Sequence, residues 1–219
     1  MFTAGQFLER WWFPVDLPSV RVTALVQSPA SFRRRGIFIT EADLSTFTRQ
    51  RIEQLLTDLG ARLERRGLTG EVLIFRGAAM ILALNARAAT RDIDAVSAPD
   101  DAVRTAADEV AQEHGLPRSW LNNQASSYLS LSAAEGKVPA FEGGGLRAYV
   151  VAAQQLLAMK VLAGRPQQDA QDIRFLLNHL GLRTSREVLD LLGSIYPSQD
   201  LKPHARLLLK DLLGEGRPR

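Results

Sequence analysis

Hydrophobic and polar positions alternate along this chain with a period that switches from helical to strand-like and back. From residue 40, Leu44, Phe47, Ile52, Leu55, Leu56, Leu59 and Leu63 recur at helical spacing with polar residues between them. Thr40-Glu41-Ala42-Asp43 is a capping-box-like start with Thr40 as N-cap, and Gly67 and Gly70 stop the pattern. Glu71 to Phe75 is a short apolar run between turn signals, which predicts a buried strand. Gly77 opens an Ala/Met/Leu-rich segment, 78–88, suited to a buried helix. Asp92 to Ser97 alternates and predicts a second strand, and Pro99-Asp100-Asp101 begins a helix that runs to His114 and ends at Gly115 and Pro117.

Residues 118–150 are less regular. Tyr128 to Leu131 and Leu146 to Val151 are candidate strands. Gly143-Gly144-Gly145 is a turn rather than a phosphate loop, since no helix start follows it. From Ala152 onward the pattern is helical, over 152–163, 168–180, 185–195 and 203–213, punctuated by Pro166, Gly181 and Pro197. Strands in the centre and helices at the end predict an α+β fold: a small mixed sheet flanked by helices, with a helical C-terminal part. The expected division is an N-terminal arm over 1–39, an α+β core over 40–151 and a helical part over 152–219 packed on it. The arm carries Trp11-Trp12-Phe13-Pro14 and Arg33-Arg34-Arg35, shows no clean period and lacks a signal-peptide pattern. It reads as a loosely docked arm, or as sequence upstream of the native start.

Composition narrows the chemistry. The 219 residues are 46% hydrophobic and 23% charged, ordinary for a globular protein. No apolar run approaches the ~18–20 residues of a bilayer span, so no membrane partner is expected. With no cysteine, thiolate zinc sites, iron–sulfur clusters, disulfides and cysteine nucleophiles are excluded. His114, His179 and His204 are scattered, so a metal would have to be a hard cation on carboxylates. Only four of the 27 basic residues are lysines. Arginine suits bidentate phosphate contacts, but a net charge of +3 is a weak field, and GC-rich coding explains the bias as well.

The sharpest constellation is Phe75-Arg76-Gly77-Ala78 followed by Thr90-Arg91-Asp92-Ile93-Asp94. Residues two apart on a strand share a face, so Asp92 and Asp94 bring two carboxylates about 7 Å apart. Mg²⁺ typically takes one or two carboxylates plus substrate phosphates, and the turn at Gly77 leads into a helix whose first N–H groups could meet a phosphate. The bland alternative is a solvated strand face beside Arg87 and Arg91. Ser126 and Ser127 have no partnered histidine that would make a hydrolase, His179 reads as a core histidine, and Trp120 as a residue packing a hydrophobic seam.

The stretches "GAAMILALNARAATRDIDAV" (77–96), "VRTAADEVAQEHGLPRSWLN" (103–122), "LLAMKVLAGRPQQDAQDIRFLLNHLG" (156–181) and "IYP" (195–197) resemble nucleotidyltransferase-fold proteins. Within that superfamily they are similar to a bacterial family of unknown function related to the AbiEii toxins of type IV toxin–antitoxin systems, over about residues 40–210. The resemblance implies that Asp92 and Asp94 bind Mg²⁺ or Mn²⁺ and are catalytic. It implies that Gly77 is the second glycine of the phosphate turn, that Thr90 is the hydroxyl residue two before the first aspartate, and that Lys160 faces the triphosphate. It gives Asp169 and Asp172 as acidic residues that close the site, with Asp172 catalytic and Asp169 beside the nucleotide. For Lys160 the alternative is a snorkelling helix lysine, and for the two aspartates a helix cap and first-turn charge.

Two positions depart from the family pattern. Arg76 stands where a glycine is usual, so its side chain either crowds the triphosphate or binds it. Asn123 stands where an aspartate is usual. No third carboxylate is evident on the strand after 120, with Glu135 and Glu142 as nearby candidates without motif support. Two expectations follow. One is a cytoplasmic, Mg²⁺-dependent enzyme that moves a nucleoside monophosphate from an NTP to an RNA (tRNA) or protein acceptor, as the toxin partnered by an antitoxin protein. The other is a degenerate nucleotidyltransferase fold acting as a non-catalytic binding module.

Overall fold

The computed structural model describes residues 46–130 and 132–215. The expected N-terminal arm, the Thr40 cap, the Arg33–Arg35 triplet and Leu131 lie outside these residues. The first described element is a two-residue strand, β1 (Phe47–Thr48), followed at once by α1 (Arg49–Arg65). The helical period therefore does not run back through Phe47. Phe47 is instead buried, pairs with Thr90 and lies against the Trp120 ring, with centroids 6.5 Å apart. The helix takes its N-cap from Thr48, whose hydroxyl accepts from Arg51 N–H at 3.3 Å.

Six further strands and two α-helices follow before the helical end. They are β2 (Gly70–Phe75), α2 (Arg76–Leu82), β3 (Ala89–Thr90), β4 (Ile93–Ala98), α3 (Asp100–His114), β5 (Leu121–Asn122), β6 (Val138–Gly143) and β7 (Leu146–Val150). The main sheet is mixed, in the order β5-β4-β2-β7-β6, and β1 pairs with β3 apart from it. β2 runs antiparallel to β4 and parallel to β7. Val72, Leu73, Ile74 and Phe75 are all fully buried, the continuous apolar run of a central strand covered on both faces. Ile52, Leu55, Leu56, Leu59 and Leu63 line the buried stripe of α1, which packs with α3 and on β7. Gly60 on that helix admits the β6–β7 turn: a Cβ there would lie 2.2 Å from the Gly143 carbonyl oxygen. The glycine run 143–145 is the hairpin turn its composition predicts.

Four helices complete the chain: α4 (Ala153–Ala163), α5 (Pro166–Leu180), α6 (Ser185–Ile195) and α7 (Pro203–Leu213). α4 is apolar nearly all round and is wrapped by α5, α6 and α7, while also touching α2. Among the described residues no helix is long and apolar enough to cross a membrane.

Three local readings need correction. The helix after Gly77 ends at Leu82 rather than near 88, because Arg49 Nη2 donates to the Ile81 and Leu82 carbonyls at 2.5 and 2.7 Å, and Asn85 then turns the chain at φ +50°. The segment from Ser126 to Tyr128 is a 3₁₀ turn, not the start of a strand. The Tyr128 carbonyl accepts from the hydroxyl of the buried Tyr196. His179 is exposed, stacked on Phe175 with ring planes 10° apart, and is no core histidine. Trp120 is buried as read, and its indole N–H donates to the Ala107 carbonyl at 3.0 Å.

Candidate functional site

β2 ends at Phe75, whose ladder partner on β4 is Asp94. The next residue, Arg76, turns the chain into α2 with a backbone φ of +58°, sparsely populated for a residue with a Cβ. β4 starts at Ile93, so Asp92 lies just before the strand rather than in it. The physical reason is the end of the partner: β2 has already turned into α2, and no residue remains to pair with Asp92. The strand pairing holds Asp94; Asp92 stands half-buried beside it.

Asp94 is 3% exposed, and burial pushes its carboxyl up to about 6. The Arg76 guanidinium pulls the other way, the neighbouring Asp92 charge adds to the rise, and Arg165 pulls down again. Arg76 Nη1 lies 3.5 Å from Asp94 Oδ2, a long ion pair. Gly77 is buried against Thr90: a Cβ at Gly77 would lie 2.4 Å from the Thr90 hydroxyl oxygen and 3.3 Å from Arg87 Nη1. The turn, Thr90 and the start of β4 are thus packed together, and only a glycine fits where Gly77 stands.

Lys160 on α4 is buried between two carboxylates of α5. Its Nζ lies 2.8 Å from Asp169 Oδ1 and 2.7 Å from Asp172 Oδ2. The Asp172 contact lacks hydrogen-bond geometry and leaves Oδ2 without a donor. Arg87 Nε reaches Asp172 Oδ1 at 3.3 Å, and Arg165 Nε reaches Asp169 Oδ2 at 3.1 Å. The first and last links of this chain lead back to the aspartate pair, Arg87 through Gly77 and Arg165 through its pull on Asp94. Arg76, Gly77, Thr90, Asp92 and Asp94 thus form one group and Lys160, Asp169 and Asp172 a neighbouring one, with Arg87 and Arg165 between them.

The connection runs through cations, not a shared ligand set. Among the described residues no group of three or more His, Asp or Glu side chains comes together to hold a metal. Asp169 and Asp172 sit with Lys160 rather than with Asp92 and Asp94. A two-carboxylate pair, one member buried and undercompensated, suits a hard divalent cation that takes its remaining ligands from substrate oxygens and water. β5 brings Asn122, an amide, into register with Asp94, and Asn123 starts the following turn. Glu142 lies on β6, at the far edge of the sheet, with β2 and β7 between it and β4.

Arg87 and Arg165 are the members that sequence reasoning did not single out. Arg165 precedes Asp169 by four positions, a helical ion-pair spacing that could have marked it. Arg87 comes from the irregular stretch after α2, and no local pattern marks it. Residues 50–194 match the model of a family described as a nucleotidyltransferase of unknown function (DUF6036). No curated protein and no solved structure matches the chain. The family match covers more than half of the chain, and the chain belongs to this nucleotidyltransferase family.

Proposed function

We propose that this member of the nucleotidyltransferase family moves a nucleoside monophosphate from an NTP to a hydroxyl on an RNA (tRNA) or protein acceptor. The observation that carries the reading is the Asp92–Asp94 pair at the start of β4, beside the glycine turn that opens α2. Asp92 and Asp94 would hold Mg²⁺ or Mn²⁺. That ion, when bound, neutralises phosphate charge and polarises the α-phosphorus. Thr90 and Gly77 keep the turn closely packed, and Arg76 supplies a cation at its mouth. The acceptor hydroxyl loses its proton, its oxygen bonds to the α-phosphorus, and the bond to pyrophosphate breaks. Lys160, Asp169 and Asp172 act in this reading by fixing α4 and α5 and by presenting Arg87 and Arg165 to the site.

The sequence resemblance to AbiEii-type toxins favours a toxin role as the biological setting in this reading: a bacterial cytoplasmic protein held in check by an antitoxin. Incubation with Mg²⁺, each labelled NTP in turn and either total RNA or the protein itself tests the chemistry. Label should move to one acceptor class and be lost in D92N and D94N; no transfer with any NTP and either acceptor would refute it. Two features favour a second reading, a non-catalytic binding module. Arg76 pairs with the carboxylate a metal needs, and Asn122 stands in register with Asp94 where a further acid would strengthen the site.

A further inference from the structure

Arg76 is held differently from Lys160, the buried cation of the cluster. Lys160 is locked between two carboxylates at 2.7 and 2.8 Å, with its side chain 5% exposed. Arg76 meets Asp94 at 3.5 Å, beyond good hydrogen-bond range, and its side chain is 29% exposed against 4% for Asp94. The carboxylate is fixed in the fold, while the guanidinium has a solvent-facing way out. The backbone sets this up: the ladder ends at Phe75 opposite Asp94, and a left-handed turn at Arg76 starts the side chain beside that carboxylate.

We infer that Arg76 is a displaceable counter-ion: it holds Asp94 in the empty site, gives way to a divalent cation, and then binds the phosphate that arrives with that cation. The inference rests on the metal-and-nucleotide reading above and assigns an order to it. Against a metal ion alone, Arg76 competes, because one carboxylate cannot serve both cations fully. Against a metal ion already bridged to phosphates, the freed guanidinium finds a bidentate acceptor close by. The same side chain thus opposes metal binding and favours metal–nucleotide binding. That couples the two ligands more tightly than the aspartates alone would, and the coupling is reciprocal.

Opposite signs make the test sharp. Mn²⁺ alone, followed by the resonance of the free ion, is titrated into the full chain, into R76G and into R76Q. The same proteins are then titrated with each common NTP in the presence of Mn²⁺. Glycine suits a φ of +58°, so R76G keeps the fold, and R76Q keeps most of the side chain without its charge. Mn²⁺ alone should bind both variants about tenfold more tightly than the parent, and the Mn²⁺–NTP complex about tenfold more weakly, the scale of one charge-assisted contact. Unchanged Mn²⁺ affinity in both variants, or both affinities moving the same way, overturns the inference while leaving the metal site standing. If R76G/D94N binds Mn²⁺ as R76G does, the metal reading fails, and the inference with it.

Discussion

The cluster contains two pairs of aspartates that look alike in the sequence and are treated in opposite ways by the fold. Asp169 and Asp172 lie three apart on α5, both buried, and between them they meet Lys160, Arg165 and Arg87. Asp92 and Asp94 lie two apart at the mouth of β4, and Asp94 meets one long contact from Arg76. The first pair is compensated within the protein. The second retains a buried carboxyl whose proton is held up to about pH 6. Buried charge is tolerated only when paired, and the pair left short of a cation is the one the proposed reading assigns to a metal ion. In the proposed reading the compensated pair is structural and the undercompensated pair holds the metal.

Removing the cation from the compensated pair should have the largest effect. Lys160→Met leaves two buried carboxylates facing each other and should cost about 3–5 kcal/mol in a urea titration. A loss below ~1 kcal/mol would mean that Arg87 and Arg165 suffice, and the contrast between the pairs would weaken.

At the other pair the sign should reverse. A carboxyl whose folded-state pKa lies above its ordinary value of 3.8 binds its proton more tightly in the folded state. Its contribution is therefore greatest below about pH 4 and is lost as the pH rises through about 6. Asp94→Asn removes that loss. The variant should match the parent near pH 4 and exceed it at pH 7.5 by on the order of 2 kcal/mol, while losing metal-dependent nucleotide binding. A destabilised D94N at pH 7.5 would show that the Arg76 contact outweighs the burial cost.

Smaller effects sharpen the picture. Arg87→Ala removes a half-exposed partner from Asp172 and should cost about 1 kcal/mol by thermal or urea denaturation, with Lys160 still in place. The remote capping box at the start of α6 calibrates these numbers. Thr184 and Glu187 cap each other there, and Thr184→Ala should cost about 1 kcal/mol without changing nucleotide affinity. A change in nucleotide affinity in T184A would reveal coupling between the helical end and the site.

Much of the fold is legible in the sequence because its elements announce themselves locally. β2 is an uninterrupted apolar run, and α3 and α5 to α7 have clear periods or stops. β6 is hidden because Val138-Pro139-Ala140-Phe141-Glu142-Gly143 is an edge strand, mostly exposed, with a proline and an irregular register at Pro139/Phe141. β1, β3 and β5 have two residues each, too short to carry a period. At the site, Asp92 and Asp94 are legible from their spacing, and Gly77 from its place after a strand. Arg87 is not, since it reaches Asp172 across 85 positions from an irregular segment whose path is set by packing. The partners of Lys160 are not legible locally either: a lysine on an apolar helix reads as a ligand or a snorkel, and its burial between Asp169 and Asp172 shows only once α5 is placed beside it.

The most direct measurement is calorimetric titration of each NTP into the parent, D92N and D94N, with Mg²⁺ and again with chelator. The expected result is metal-dependent binding of at least one NTP by the parent, lost in both variants and in chelator. Nucleotide affinity that is the same in the parent, in both variants and without metal would contradict the assignment of Asp92 and Asp94 as the metal-holding centre of the site.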